Sequence, residues 1–415
     1  MTAAERQGQG RPLGATEGST GAPLAGVRVV DLSRVLAGPY CAQLLADMGA
    51  QVIKVESPEG DESRRWPPLW EGNDVSSNFG SVNRGKLGMT LDLKSDAAPE
   101  MLRRLVEWGD VLIHNFLPET AVRLGIDYER MRAINPRLVF CSLTGYGERG
   151  PLRNKQGYDL MMQAFSGAMG MTGYQDSGPV RIGVSFIDMA TGMLAYGGVV
   201  TALLARQASG EGRWVQVSLL ETAVGLLGHH GSNWMQAGVL SPKLGSAAGN
   251  LSPYQAFACS DGYLVAGATN DRVFRSFCEV LGCTQLLADP RFASNALRVE
   301  NREGINSVVG PIFAGRTVAE WVAALEANGI PSSPVNTVDQ IIEHPQVLAN
   351  DMVIEVDTDE GTSPRFIGTP FKISGHAGPS RRAAPHKAAH TREVLEDVLG
   401  LDAATVAHLR ASGAV

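Results

Sequence analysis

Residues 24–56 read LAGVRVVDLSRVLAGPYCAQLLADMGAQVIKVE, and the fold follows from how this stretch divides. Val27–Leu32 is a short apolar, β-branched run, the pattern of a parallel strand buried on both faces. Pro39 suits the first helical position, Leu44, Leu45 and Met48 recur at helical spacing, and Gly49 is a natural stop. Gln51–Val55 reads as a second strand. A strand–helix–strand unit crosses over with a right-handed turn, which leaves the two strands parallel.

The alternation continues to residue 220. Pro99–Trp108 and Tyr128–Ile134 read as helices, Val111–Phe116 and Leu138–Thr144 as strands. Gly157–Met169 and Met189–Gln207 are expected to be helical, and Trp214–Leu219 closes the series as a strand. Such alternation predicts an α/β domain with a mostly parallel sheet. From about Glu221 the rhythm changes. HHGSNWMQAG and GSAAGNLSPYQAF are loop-rich, GYLVAGA is a strand, and Asp271–Leu281 and Val318–Ala327 are helices. The second of these opens on the capping box Thr317-x-x-Glu320 and stops at Gly329. Regular structure returns after residue 335, at Met352–Val356, Phe371–Ile373 and the helix Arg392–Leu399. A chain of 415 residues exceeds what a single core organises, so two domains are expected. The segments are 24–220, 221–335 and 336–415, preceded by a flexible tail at 1–23.

Composition narrows the function. Hydrophobic residues make up 44% and charged residues 19%, as in a globular protein. The net charge of −7, with no long basic block, argues against a nucleic-acid partner. Cys41, Cys141, Cys259, Cys278 and Cys283 are scattered without a C-x-x-C pair, which points to a reducing, cytoplasmic setting and to no metal site. The tail has no apolar core of the kind a secretory signal needs. Residues 182–205 are apolar enough for a membrane span, but Gly183, Gly192, Gly197 and Gly198 interrupt them and Asp188 would be costly in lipid. The expectation is no membrane.

Asp188 is the one charge in that run, and Asp159 in GYDLMMQAFSG is its counterpart. Both precede helical patterns, where backbone N–H groups favour an anion. They read equally as two N-caps or as a pair of working carboxylates. Gly145-Tyr-Gly-Glu-Arg-Gly150 matches G-x-G-x-x-G after a strand, but Pro151 follows and no acidic residue lies where a ribose ligand belongs, so a turn is expected. The pair His229-His230 lacks neighbouring acids or cysteines, and no metal is expected there.

Taken in order, the strings LAGVRVVDLSRVLAGPYCAQLLADMGAQVIKVE, SVNRGKLGMTLDLK, DVLIHNFLPETAVRLGI, INPRLVFCSLTGYGERGP, GYDLMMQAFSG, DMATGMLAYGGVVTALLAR and PYQAFACSDGYLVAGATND resemble the class III CoA-transferases. That family includes formyl-CoA transferase, carnitine CoA-transferase and α-methylacyl-CoA racemase, and the resemblance spans residues 24–415. It implies a Rossmann-like large domain built from both chain ends, a smaller middle domain, and two chains interlocked as a homodimer. It implies no tightly bound cofactor, with CoA and acyl-CoA as substrates beside a small carboxylic acid. Asp188 falls on the family's nucleophile. Leu36, Ala37, Lys94, Asn115, Phe116, Leu117, Arg123, Lys155 and Tyr158 fall on positions that contact CoA, and Arg34, Asp159, Gly249 and Asn250 on or near the acid-binding side.

Departures from the pattern carry information too. Ser57 stands where formyl-CoA transferase has an arginine after the second strand, leaving Arg34 or Arg64 to compensate. The tetraglycine loop is missing, with Gly245, Gly249 and Asn250 nearest to it, which argues against formate or oxalate; GSAAGNLSPYQAF instead resembles the succinyl-CoA-using branch of the family, and that resemblance implies a dicarboxylate such as glutarate or itaconate taking CoA from succinyl-CoA. A distal carboxylate would need a cation, for which Arg34 and Arg298 are the arginines singled out. A racemase would place a histidine before the first aspartate. Here that position is Tyr158, a poor base at neutral pH. A non-catalytic CoA-binding protein is the remaining alternative.

Overall fold

The computed structural model describes residues 21–69, 75–358, 361 and 363–415, so the expected tail lies outside the described residues up to residue 20. The chain divides into two compact units. One comprises the chain up to Ser166, Gly183–Leu226 and Gln346–Val415, and the other Gly167–Ile182 and Leu227–Pro345.

The first unit runs β1 (Arg28–Asp31), α1 (Ala37–Asp47), β2 (Gln51–Glu56), α2 (Ser77–Asn83), β3 (Lys86–Thr90), α3 (Ala98–Trp108), β4 (Val111–His114), α4 (Pro118–Arg123), α5 (Tyr128–Ile134) and β5 (Val139–Thr144). After these come α6 (Asp159–Phe165), α8 (Phe186–Ser209), β6 (Trp214–Ser218) and α9 (Leu219–Leu226), while α7 (Ala168–Met171) belongs to the second unit. The sheet order is β3-β2-β1-β4-β5-β6, and every pairing is parallel. This is the doubly wound order whose direction reverses between β1 and β4, where the carboxyl ends of the strands leave a crevice for ligands. Alternate strand residues feed two cores. Val29, Val52 and Val111 pack with α1 and α8, and Val30, Ile53 and Leu112 with α3 and the C-terminal segment around Leu395.

In the second unit, α10 (His229–Ala237) precedes the strands β7 (Tyr254–Ala258) and β8 (Tyr263–Gly267). The helices α11 (Asp271–Leu281), α12 (Asn295–Glu300), α13 (Arg302–Phe313) and α14 (Val318–Glu326) lead to β9 (Ser332–Pro334). The strands form an antiparallel sheet in the order β7-β8-β9. Its core is aromatic: Phe257 stacks on Phe313, and Trp321 donates its indole N–H to the Phe313 carbonyl at 2.9 Å. The Thr317–Glu320 capping box is formed.

Several expectations need correction. The helix expected at 157–169 breaks into α6 and α7, because Gly167 takes a left-handed φ of 93° between them. The middle unit begins at Leu227 and not at 221, since α9 continues directly from β6 and packs on α6 and α8. It also takes in Gly167–Ile182, and it ends at Pro345, beyond 335. Phe371–Ile373 forms no regular element, and the Phe371 ring packs against Tyr196. The strand β3 and helix α2 escape the sequence pattern, as β3 (KLGMT) carries a lysine and a glycine in an otherwise apolar run. The His229 and His230 rings lie 4.0 Å apart, and among the described residues no cluster of three metal-ligating side chains forms around them.

Helix α8 is long and apolar enough to cross a membrane, with 39% of its most apolar window buried inside the protein. It packs on α1 through Gly192, where a Cβ would come within 2.7 Å of the Ala37 carbonyl oxygen and 3.0 Å of the Tyr40 ring. This close approach fixes the start of α8 beside the start of α1. Gly192→Ala should therefore force the two helices apart and destabilise the protein by about 1–3 kcal/mol, measured by denaturant unfolding.

Candidate active site

The loops at the strand reversal are tied together by side chains. Asn115, just past β4, accepts the Arg34 backbone N–H at 3.0 Å and donates back to the Arg34 carbonyl at 2.8 Å. Leu36 is the N-cap of α1, Ala37 begins that helix, and Leu117 is the N-cap of α4. Phe116 stacks on His114, whose imidazole burial pushes down to about 3, so that it is neutral and accepts the Phe116 N–H. The Arg34–Asn115 pair thus sets the loop that leads to Leu36 and Ala37 beside the loop of Asn115, Phe116 and Leu117. Lys94 lies farther along the sheet, exposed after β3. Arg123 is exposed at the end of α4, where its guanidinium donates to the Thr120 hydroxyl at 3.4 Å.

The two aspartates meet. Asp159 is 7% exposed in the first turn of α6. One of its oxygens accepts the backbone N–H groups of Ile187 (2.9 Å) and Asp188 (3.2 Å), and the other accepts from Gln163. The N-cap of α8 is Ser185, which makes no side-chain cap, so Asp159 satisfies that helix end from another helix. Neither aspartate is itself an N-cap. Glycine permits the arrangement: Gly145 and Gly157 pass so closely that a Cβ on Gly145 would come 2.7 Å from the Gly157 nitrogen. The glycine run after β5 is thus a turn that brings Tyr158 and Asp159 over the strand end, and no helix starts from it.

Asp188 occupies the first turn of α8 and is partly buried. Burial, and then the charge of Asp159, raise its pKa to about 7, so the helix terminus does not offset desolvation as its position alone would suggest. Beside Asp159 opens a cleft of about 690 Å³ lined by Tyr146, Lys155, Tyr158, Met161 and Phe165. The Lys155 ammonium lies 5.5 Å over the Tyr146 ring, and Phe165 meets that ring edge-on. An apolar cleft with one cation and two phenols suits a chain with an anionic end.

Other expected residues take different places. Arg64 is buried, forms a bidentate pair with Glu56 (2.7 and 2.8 Å) and lies 3.7 Å over Phe79, so two of its guanidinium nitrogens are committed inside the fold. Arg298 is likewise spent: it binds the Ser252 and Phe292 carbonyls and Asp271. Gly249 and Asn250 lie in the second unit, where the Asn250 carbonyl accepts from Asn295. The Arg34 side chain is exposed. Sequence reading missed Tyr146, Met161 and Phe165, although the spacing of Met161 and Phe165 on α6 was visible. It also missed Asp61, whose D-x-S pattern with Ser63 was the available signal.

The profile of CoA-transferase family III matches residues 24–391, and the chain belongs to that family; it is a CoA-transferase. An acyl-CoA transferase of Fusarium pseudograminearum is 39% identical, covering 94% of this chain and 88% of its own. The succinyl-CoA:glutarate CoA-transferase of Mus musculus is 36% identical, over 95% and 90%. A solved CaiB/BaiF family protein from Brucella suis superposes with a TM-score of 0.83 at 36% identity, covering 91% of this chain and all of the other.

The raised pKa gives two expected outcomes. Carboxyl-carbon NMR should show Asp188 titrating near 7, and Asp159→Asn should lower that midpoint by removing the neighbouring charge. The native state holds a proton on Asp188 that the unfolded chain has lost between about pH 4 and 7, so stability falls as pH rises through this window. Asp188→Asn should accordingly melt higher than the native protein above pH 7, and the difference should vanish below about pH 4.

Proposed function

We propose that the protein moves CoA from succinyl-CoA to a dicarboxylic acid with Asp188 as nucleophile. The observation that carries this reading is the ionisable, partly buried Asp188, oriented through its own backbone by Asp159 beside the cleft of Lys155 and Tyr158. The ionised carboxylate attacks the thioester carbonyl of the donor, the C–S bond breaks, and an aspartyl–acyl anhydride forms with CoA thiolate as leaving group. The thiolate attacks the aspartyl carbonyl and releases the donor acid, leaving an aspartyl-CoA thioester. The acceptor carboxylate attacks this thioester, giving a second anhydride and thiolate, and thiolate attack on the acceptor's acyl carbon restores Asp188. Water must stay out, because it would hydrolyse the anhydride, so the open, apolar-walled cleft must be covered by the bound substrates or a partner subunit during the reaction.

CoA would lie along the crevice between the first and fourth strands, against Leu36, Ala37, Asn115, Phe116 and Leu117, with Lys94 and Arg123 as phosphate partners. The likeness to a succinyl-CoA:glutarate enzyme supports a dicarboxylate acceptor. Its distal carboxylate needs a cation. With Arg298 engaged elsewhere, Arg34 and Lys155 are the ones to supply it.

A homodimer is part of the proposal. Leu194 and Leu204 in the first unit and Trp234 and Met235 in the second are large, apolar and exposed, as at subunit interfaces. Sedimentation equilibrium should give twice the chain mass of 44.1 kDa.

One assay tests the chemistry. The native enzyme with succinyl-CoA should turn over glutarate and other dicarboxylates with kcat/KM at least about tenfold above the monocarboxylate butyrate. Asp188→Ala should lose at least about a thousandfold in kcat while still binding CoA, and mass spectrometry should find an acyl or CoA adduct on Asp188 of the native chain. Unimpaired turnover by that variant would sink the mechanism, and preference for butyrate would sink the dicarboxylate assignment.

A further inference from the structure

The turn after β1 is held at three successive residues by three separate parts of the chain. The Ser33 N–H binds Asp31 at 3.0 Å, and the Ser33 carbonyl accepts the Lys54 ammonium at 2.7 Å. Arg34 is clamped on both backbone groups by Asn115. The Val35 N–H is shared by the two oxygens of Asp61, at 3.3 and 3.2 Å. Asp61 is itself fixed: it is 2% exposed, pairs with buried Lys54 at 3.1 Å, and accepts the Ser63 N–H at 3.0 Å.

Val35 adopts a φ of +72°, in the left-handed region that β-branched side chains rarely enter. Strain of this kind persists only where surrounding structure over-determines it, and it concentrates at ligand-binding turns. Here the determinants are visible, and the residues immediately downstream are Leu36 and Ala37. The strained turn reverses the chain so that α1 can start at the crevice between β1 and β4.

The geometry points to Asp61 as a positioning residue for acyl-CoA: it holds the Val35 amide, and through that strained turn it sets the backbone of Leu36 and Ala37. This rests on the functional reading above, in which that backbone lies against CoA. Asp61 does not touch the reacting atoms. Its effect reaches the ligand through one backbone hydrogen bond and a conformation that a free turn would leave.

Asp61→Asn, Val35→Gly and the double variant test it, with KM for succinyl-CoA, Kd for CoA, kcat and Tm as readouts. Asp61→Asn should raise KM and Kd about tenfold with kcat changed less than about threefold, the pattern of lost uniform binding. Val35→Gly removes the strain, so its Tm should hold or rise while KM rises, because glycine also frees the turn to leave the bound shape. The double variant should be no worse in KM than the worse single one, since both act on the same turn. Should Asp61→Asn fold poorly with its buried lysine partner, Val35→Gly still decides the matter. A native KM in Val35→Gly, or in a folded Asp61→Asn whose Tm alone has dropped, would show a purely structural role and overturn the inference. A native protein that binds no CoA would instead overturn the functional reading, and this one with it.

Discussion

The candidate site depends on one carboxylate, Asp159, placed on the first amides of another helix. Its oxygen takes the N–H groups of Ile187 and Asp188 at once, so the end of α8 is satisfied by α6. A helix terminus paired with a partly buried anion is worth up to about 2 kcal/mol, enough to hold the two helices in register. The consequence for Asp188 is chemical. The amides that would otherwise stabilise its own charge are occupied by its neighbour, and the neighbour's charge adds to the cost of its burial. One carboxylate is fixed as structure, and the other is left near neutrality, where its protonation is easily changed. Two acids of the same type thus take opposite roles through their surroundings alone.

The same division of labour appears under the sheet's carboxyl edge. Asp31, Asp61, Lys54 and Lys86 are all buried, with Lys86 on Asp31 at 2.8 Å and Lys54 on Asp61 at 3.1 Å. Burial pulls Lys86 down to about 8 against the pull of Asp31, which shows how nearly desolvation and pairing balance there. Buried pairs of this kind add little net stability. They do fix geometry, because every member has several partners: Lys86 also reaches the Pro39 carbonyl and Asn83, and Lys54 the Ser33 carbonyl. The turn between β1 and α1 rests on this lattice. Close packing of α8 on α1 at Gly192 then brings the aspartate end of the molecule to the same edge.

The sequence by itself determined the α/β alternation, the parallel pairing and the position of most elements, because period, caps and stops are local properties. Gly49 ends α1 with a φ of +95°, and Thr317 caps α14 as its pattern requires. It also singled out Asp188, since one charge in an apolar run is visible without coordinates. Tertiary structure alone decided what the charges do. Arg64, Arg298, Lys94 and Arg123 look alike in the sequence, yet the first two are buried and committed to partners within the fold while the other two face solvent. The strand β3 was hidden because Lys86 makes sense in a buried strand only once Asp31, far away in the chain, supplies the opposite charge. Likewise nothing local marks Val35 as left-handed or Asp159 as the cap of α8. Those facts depend on long-range partners, and the energy of a buried hydrogen bond or ion pair is fixed by what the fold brings within about 3 Å, not by the residue that carries it.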